Sequence, residues 1–173
     1  MDFSKTYFEI FQLPASFDVD LDDLASKYRR LQIEVHPDKF ANATEQEKRL
    51  SLQWATQVNA AYDTLRAPLS RATYLIEMAG LDVEENPTVA PAFLMEQIEL
   101  REQLEEIGEG NEGLTALDAL RAAIKQRLDG LYLEFGATIG NSTEEARTQL
   151  YKLQFLDKLR REALQREEQL LDD

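Results

Sequence analysis

The stretch YRRLQIEVHPDK, residues 28–39, decides how the chain is read, because a helical pattern stops inside it at a proline. Leu24, Tyr28, Leu31 and Val35 recur at helical spacing and form one apolar stripe, which predicts a helix from about Leu21 to Val35. Asp18 or Asp20 stands where an N-cap is needed, and Asp20, Asp22 and Asp23 suit the positive end of that helix. Pro37 ends it, since the residue before a proline is pushed out of the α region. The corner so formed carries His36, the one histidine of the 173 residues. It must be a catalyst, a metal ligand or part of a contact surface.

Working outward, every neighbouring segment also reads as helix. Gly and Pro are scarce and strand-like alternation is weak, so an all-α chain is expected. A short helix fits Tyr7 to Gln12, ahead of Pro14. Thr44 and Glu47 make a capping box, and the helix behind it has the stripe Leu50, Trp54, Val58, Ala61 and Leu65. Pro68 restarts the chain as a helix with Leu69, Ala72, Leu75 and Ile76, ended by Gly80. Residues 82–91 hold two prolines and no stripe, and mark the boundary. This gives units at 1–80 and 92–173 joined by 81–91.

Three longer helices follow the boundary. They are expected at about Ala92–Ile107, Thr115–Phe135 and from the Ser142-Thr143-Glu144-Glu145 capping box nearly to the end. Leu117, Leu120, Ile124, Leu128, Leu131 and Phe135 form the stripe of the second. Ala146, Leu150, Leu153 and Leu164 form that of the third. Short loops join them, so the expectation is a three-helix bundle with antiparallel neighbours.

Composition excludes several functions. The net charge is −14, and phosphate neutralisation needs a concentrated basic surface, so a general nucleic-acid binder is not expected. There is no cysteine, which removes disulfides, thiolate nucleophiles and Cys-ligated zinc or iron–sulfur centres. Nothing in the sequence reads as a signal peptide or a membrane span, so a cytoplasmic protein is expected. The letters Gly108-x-Gly110-x-x-Gly113 follow a helix rather than a strand and include Glu109 and Glu112, so they are read as a turn and not as a phosphate loop. No carboxylates cluster around His36 for a metal, and His36 with Asp38 lacks the convergent partners of an acid–base couple. No catalytic residue, metal or cofactor is expected.

Recognition remains. The order helix, Tyr28-Arg29-Arg30-Leu31, His36-Pro37-Asp38, loop, then a long helix ending Asn59-Ala60-Ala61-Tyr62-Asp63-Thr64-Leu65-Arg66-Ala67-Pro68 resembles a J-domain, over residues 1–76. That resemblance implies an antiparallel helical hairpin that docks on an acidic surface of a DnaK-type chaperone and accelerates its ATP hydrolysis. Carried over, the chaperone-binding residues are Lys27, Tyr28, Arg29, Arg30, His36, Pro37, Asp38 and Lys39. Pro37 fixes one φ angle, so little ordering entropy is left to lose on binding. Lys27 has Asp23 at i−4 and Arg30 has Glu34 at i+4, pairs worth roughly 0.3–0.5 kcal/mol each. Arg29 has only Ala25 and Ile33 at those positions, which makes it the most available cation. Ala25 and Glu34 stand where many general J-domains are basic, implying a specialised chaperone partner.

In the second half, Phe93, Leu100, Leu104 and Ile107 share the core face of their helix. Leu94, Met95 and Ile98 lie off it, rimmed by Glu99, Glu102 and Glu105, while Tyr151 and Phe155 leave the inward stripe of the last helix. Such residues fit a partner surface, or simply a wide core arc in a bundle. The sequences F-L-M-E-Q-I-E-L-R-E (93–102) and K-L-Q-F-L-D-K-L-R (152–160) resemble the C-terminal domain of the HscB family, J-proteins dedicated to iron–sulfur cluster assembly. The resemblance implies that Leu94, Met95, Ile98 and Phe155, with Glu99 and Glu102 on the rim, hold the scaffold protein IscU for delivery to an HscA-like chaperone. Some relatives carry a Cys-rich zinc segment before the J-domain; its absence here gives a bacterial form as the expectation. A monomer is expected. Two rivals stay open: the same J-domain with another client, and an acidic oligomerisation module.

Overall fold

The computed structural model describes residues 2–40, 43–85 and 87–172, with the backbone alone for Pro37, Asp38 and Asp172. It divides into two compact units, Met1–Leu75 and Ile76–Asp173. Each is built of helices, and no strand occurs among the described residues.

In the first unit α1 (Tyr7–Ile10) is opened by a capping box between Thr6 and Glu9. It is shorter than the Tyr7–Gln12 expected. Gln12 takes φ +52°, its N–H donates to the Glu9 carbonyl, and the Leu13 N–H donates to the Phe8 carbonyl. This is a left-handed helix stop made without glycine. α2 (Leu21–Glu34) is capped by Asp20, whose carboxylate accepts from the Asp22 and Asp23 N–H groups at 3.0 Å. A 3₁₀ turn, Pro37–Phe40, follows.

α3 (Glu45–Arg66) starts at the expected Thr44 capping box. The Thr44 N–H and hydroxyl both donate to the Glu47 carboxylate at 2.8 Å and hold its pKa below the ordinary range. Trp54, Val58, Ala61 and Leu65 are buried as the stripe requires, but Leu50 is exposed. Ser51 is buried in that layer instead, and its hydroxyl donates to the Val35 carbonyl at 3.1 Å. Val35 thus faces residue 51, whereas Tyr28 stacks on Tyr62 with ring centroids 3.9 Å apart. The two helices therefore run antiparallel. α4 (Pro68–Met78) begins at its proline, and the division between the units falls within it.

In the second unit α5 (Pro91–Glu105), α6 (Gly110–Thr138) and α7 (Thr143–Asp172) make the three-helix bundle. Ion pairs give its directions. Arg121 of α6 bonds Glu167 near the end of α7, while Gln149 near the start of α7 donates to Thr138, so α6 and α7 are antiparallel. Phe93 lies against Phe155 and Arg101 against Glu162, so α5 runs parallel to α7, as up–down–up connectivity requires. The core of α7 is Ala146, Leu150, Leu153, Leu156, Leu159 and Ala163. Leu164, expected on that stripe, is only half-buried.

The Gly108–Gly113 segment departs most from expectation. It is a turn only up to Glu109, and α6 begins five residues earlier than Thr115. Gly110 enters it at φ +72°, and a Cβ on Gly113 would stand 2.0 Å from the Gly108 carbonyl oxygen. Gly113 is there because a backbone passes against it. Between the helices, the stretch before α5 is fastened to α7. The Glu84 N–H donates to the Tyr151 hydroxyl, and Arg147 donates to the Asp82 carbonyl, both at 3.2 Å.

Candidate functional site

His36 is exposed at the end of α2, and its carbonyl accepts from the Lys39 N–H at 3.0 Å, closing the turn. Lys39 is exposed in the last turn of the 3₁₀ segment. The side chains of Pro37 and Asp38 lie outside what is described. On the same side of α2 as His36, a hollow of about 490 Å³ is lined by Arg29, Gln32, Ile33, Val35, Ala55 and Asn59 together with His36. Ile33 is 62% exposed there. Lys27 and Arg30 face the other way, into a smaller hollow with Gln12 and Glu34.

The cations differ in their engagement. Lys27 is held by Asp23 at 2.7 Å and by the Gln12 carbonyl at 3.3 Å. Arg29 and Arg30 have no ion pair among the described residues, so the anticipated Arg30–Glu34 pair does not form while the Lys27–Asp23 pair does. The structure thus brings Arg29 and His36 to one hollow and leaves Lys27 and Arg30 on the opposite flank. Tyr28 is half-buried between them. Its hydroxyl donates to Asn59 at 3.0 Å and accepts from Gln32 at 2.6 Å.

Gln32, Ile33 and Asn59, which line this surface, were not anticipated as site residues. Ile33 carried a readable signal: a large apolar residue outside the Leu24/Tyr28/Leu31/Val35 stripe, on the side of Arg29. Arg71 was also missed. It is 7% exposed, donates to the Leu65 carbonyl at 2.7 Å, and lies over the Phe17 ring at 4.9 Å. It satisfies a carbonyl at the end of α3, where helices leave such groups without a partner. Ser70 does the same for Thr64 and Ala67.

In the second unit Leu94, Met95 and Ile98 are 49%, 59% and 44% exposed along one side of α5. They are not enclosed in a wide core arc. Phe93, on the opposite side, is buried, with Ile107 further along. Glu99, Glu102 and Glu105 are exposed beside the apolar residues. Phe155 of α7 is half-buried and meets the Phe93 ring edge to face at 5.8 Å. An exposed apolar group of this kind, bordered by carboxylates, has the composition of a protein-docking surface. Among the described residues no group of three or more potential ligands is gathered for a metal, and no helix is long and apolar enough to cross a membrane.

Both units have relatives among known proteins. Residues 6–74 match the family profile described as the DnaJ domain, and residues 89–164 match the one described as the HSCB C-terminal oligomerisation domain. An all-helical chain with a J-domain at its N-terminus and this second domain is a J-domain co-chaperone. It is 40% identical over 157 residues to a co-chaperone HscB homologue of Burkholderia mallei, covering 89% of each chain. Among solved structures, chaperone HscB from Vibrio cholerae matches with a TM-score of 0.86 and 37% identity, over 96% of this chain and 99% of that one. The human co-chaperone HscB matches with a TM-score of 0.89 and 29% identity, over 96% and 84%. The chain belongs to the HscB family of co-chaperones.

Proposed function

We propose that the protein stimulates the ATPase of an HscA-like, DnaK-type chaperone and delivers the iron–sulfur scaffold protein IscU to it, in the cytoplasm and without catalysing a reaction itself. The J-domain, residues 1–80, presents His36, Pro37, Asp38 and Lys39 with Tyr28, Arg29, Arg30 and Lys27 to the chaperone. Residues 92–173 hold the scaffold on Leu94, Met95, Ile98 and Phe155, with Glu99 and Glu102 at the edge, and 81–91 connects the two. No cofactor enters this reading. Both surfaces act by binding: one favours the chaperone's hydrolysing state and the other raises the scaffold's local concentration at it.

The observation that carries the reading is the exposure of two unlike surfaces in one chain of this family. One is a hollow that holds His36 and Arg29 beside Ile33; the other is an apolar strip on α5. The test adds the protein and the scaffold to purified chaperone and follows phosphate release. His36→Gln is expected to abolish the stimulation while leaving scaffold binding, measured by calorimetry, unchanged. Equal stimulation by the variant would remove the docking role assigned to His36, Pro37 and Asp38.

A second reading has one observation behind it, the description of the 89–164 profile as an oligomerisation domain. On it the strip on α5 would pair with a second copy. Light scattering of the pure protein separates the two, since a concentration-dependent dimer lost in Ile98→Ser belongs only to the second. The first has a monomer throughout.

A further inference from the structure

Ser51, Ala55 and Asn59 follow one another at four-residue steps along α3, so they share one side of it. The outer two are bonded to α2. The Ser51 hydroxyl donates to the Val35 carbonyl at 3.1 Å. Asn59 accepts from the Tyr28 hydroxyl at 3.0 Å, and that hydroxyl accepts from Gln32 at 2.6 Å. The middle residue has only a methyl group. A gap therefore opens between two bridges, and it is the hollow of about 490 Å³ lined by Ala55, Ile33, Val35, Arg29 and His36.

Because hydrogen bonds hold both ends, the gap exists before any partner arrives, and little ordering is left to oppose binding. Ile33 borders it from α2 at 62% exposed. On α3, Leu52 is 64% exposed. It stands seven residues before Asn59, within about 20° of it around the helix. Being next to Ser51, it carries the α3 edge of the gap onward to the level of Val35 and His36.

A single exposed aliphatic residue needs no account. Two of them on different helices, beside one preformed gap that also holds Arg29 and His36, are a different matter. Such a patch is apolar at its centre and polar at its edge, the make-up of a protein interface core with its rim. The charged residues of α2 can attract an acidic surface, but they do not say how closely it approaches. An unfilled gap does, since only a side chain that fits it excludes water from its walls.

We propose that this gap is a socket for an apolar side chain of the chaperone, seated on Ala55 between Ile33 and Leu52, which makes α3 part of the docking surface. The inference rests on the chaperone-docking reading of His36 and specifies the partner further. An aliphatic or aromatic residue projects from the chaperone beside the acidic groups that meet Arg29. A chaperone with a charged residue at that point is rejected, because the socket offers the charge no partner.

The test follows phosphate release by the purified HscA-like chaperone as full-length variants are titrated in, with thermal melts as the folding control. Ala55→Phe fills the socket without removing any group. It is expected to raise the concentration giving half-maximal stimulation about tenfold. The surface variant Ile33→Ser/Leu52→Ser is expected to raise it to a similar extent, with maximal stimulation retained. An unchanged or lowered concentration in a folded Ala55→Phe would overturn the inference. Should that variant melt early, the serine pair decides, and stimulation by it at the unaltered concentration would overturn the inference equally. His36→Gln separates these outcomes from failure of the underlying reading: full stimulation by that variant would mean that the chaperone does not dock beside His36 at all.

Discussion

Arg71 shows how one side chain can join two helices. Its guanidinium is buried, it belongs to α4, and it donates to a carbonyl in the last turn of α3. Hydrogen bonds from a charged donor contribute more than neutral ones, and a buried carbonyl left without a donor is costly. Arg71→Met keeps the length and loses both the charge and the donor. It is expected to destabilise the protein by about 2 kcal/mol, read as a lower urea midpoint at unchanged slope; an unshifted midpoint would mean that the carbonyl finds another donor. At this scale the sequence was only partly legible. His36, Arg29, Leu94, Met95 and Ile98 are exposed where spacing put them off the stripes. Arg71 gave no signal, since its partner is a main-chain carbonyl six residues back, which no side-chain pattern encodes. Leu50 and Ser51 exchanged places because one residue is 100° on a helix and the Val35 carbonyl holds the hydroxyl inward.

Among the elements, α3 has its start written in the sequence, and the same capping box gives it a pH dependence. The Glu47 carboxylate accepts from the Thr44 N–H and hydroxyl, so its pKa is lowered in the folded state from an ordinary 4.5. A depressed carboxylate pKa adds stability that is fully present above the unfolded-state value and is lost as pH falls through the folded one. The Glu9–Thr6 box of α1 carries the same sign. Glu47→Gln is therefore expected to melt below the unaltered protein at neutral pH, with the gap closing once the solution is acidified below the ordinary carboxylate range. A gap constant with pH would assign the effect to the side-chain amide and not to charge. Helix starts were readable in this way at Asp20, Thr44 and Pro68. The beginning of α6 was not, because a glycine-rich string reads as a turn by composition. What decides it is the Gly108 carbonyl passing against Gly113, a contact visible only once the chain is folded.

For the whole molecule, the two candidate surfaces belong to different compact units, and their energetics are expected to separate. His36 and Leu94 lie in different units, so the His36→Gln/Leu94→Ala double variant should bind the scaffold as Leu94→Ala does alone, within about 0.5 kcal/mol. A larger coupling would show that scaffold binding is communicated to the J-domain. The division of labour was legible before the fold because each half carries its own apolar periodicity and its own off-stripe residues.

The single tryptophan gives these units separate voices. Trp54 lies in α3, 8% exposed, with the Phe3 ring edge-on at 5.5 Å, and the second unit has no indole. Its fluorescence therefore reports on the first unit alone, whereas far-ultraviolet dichroism sums the helices of both. Recording the two signals in one denaturant titration turns any separation of their midpoints into a direct reading of which half yields first.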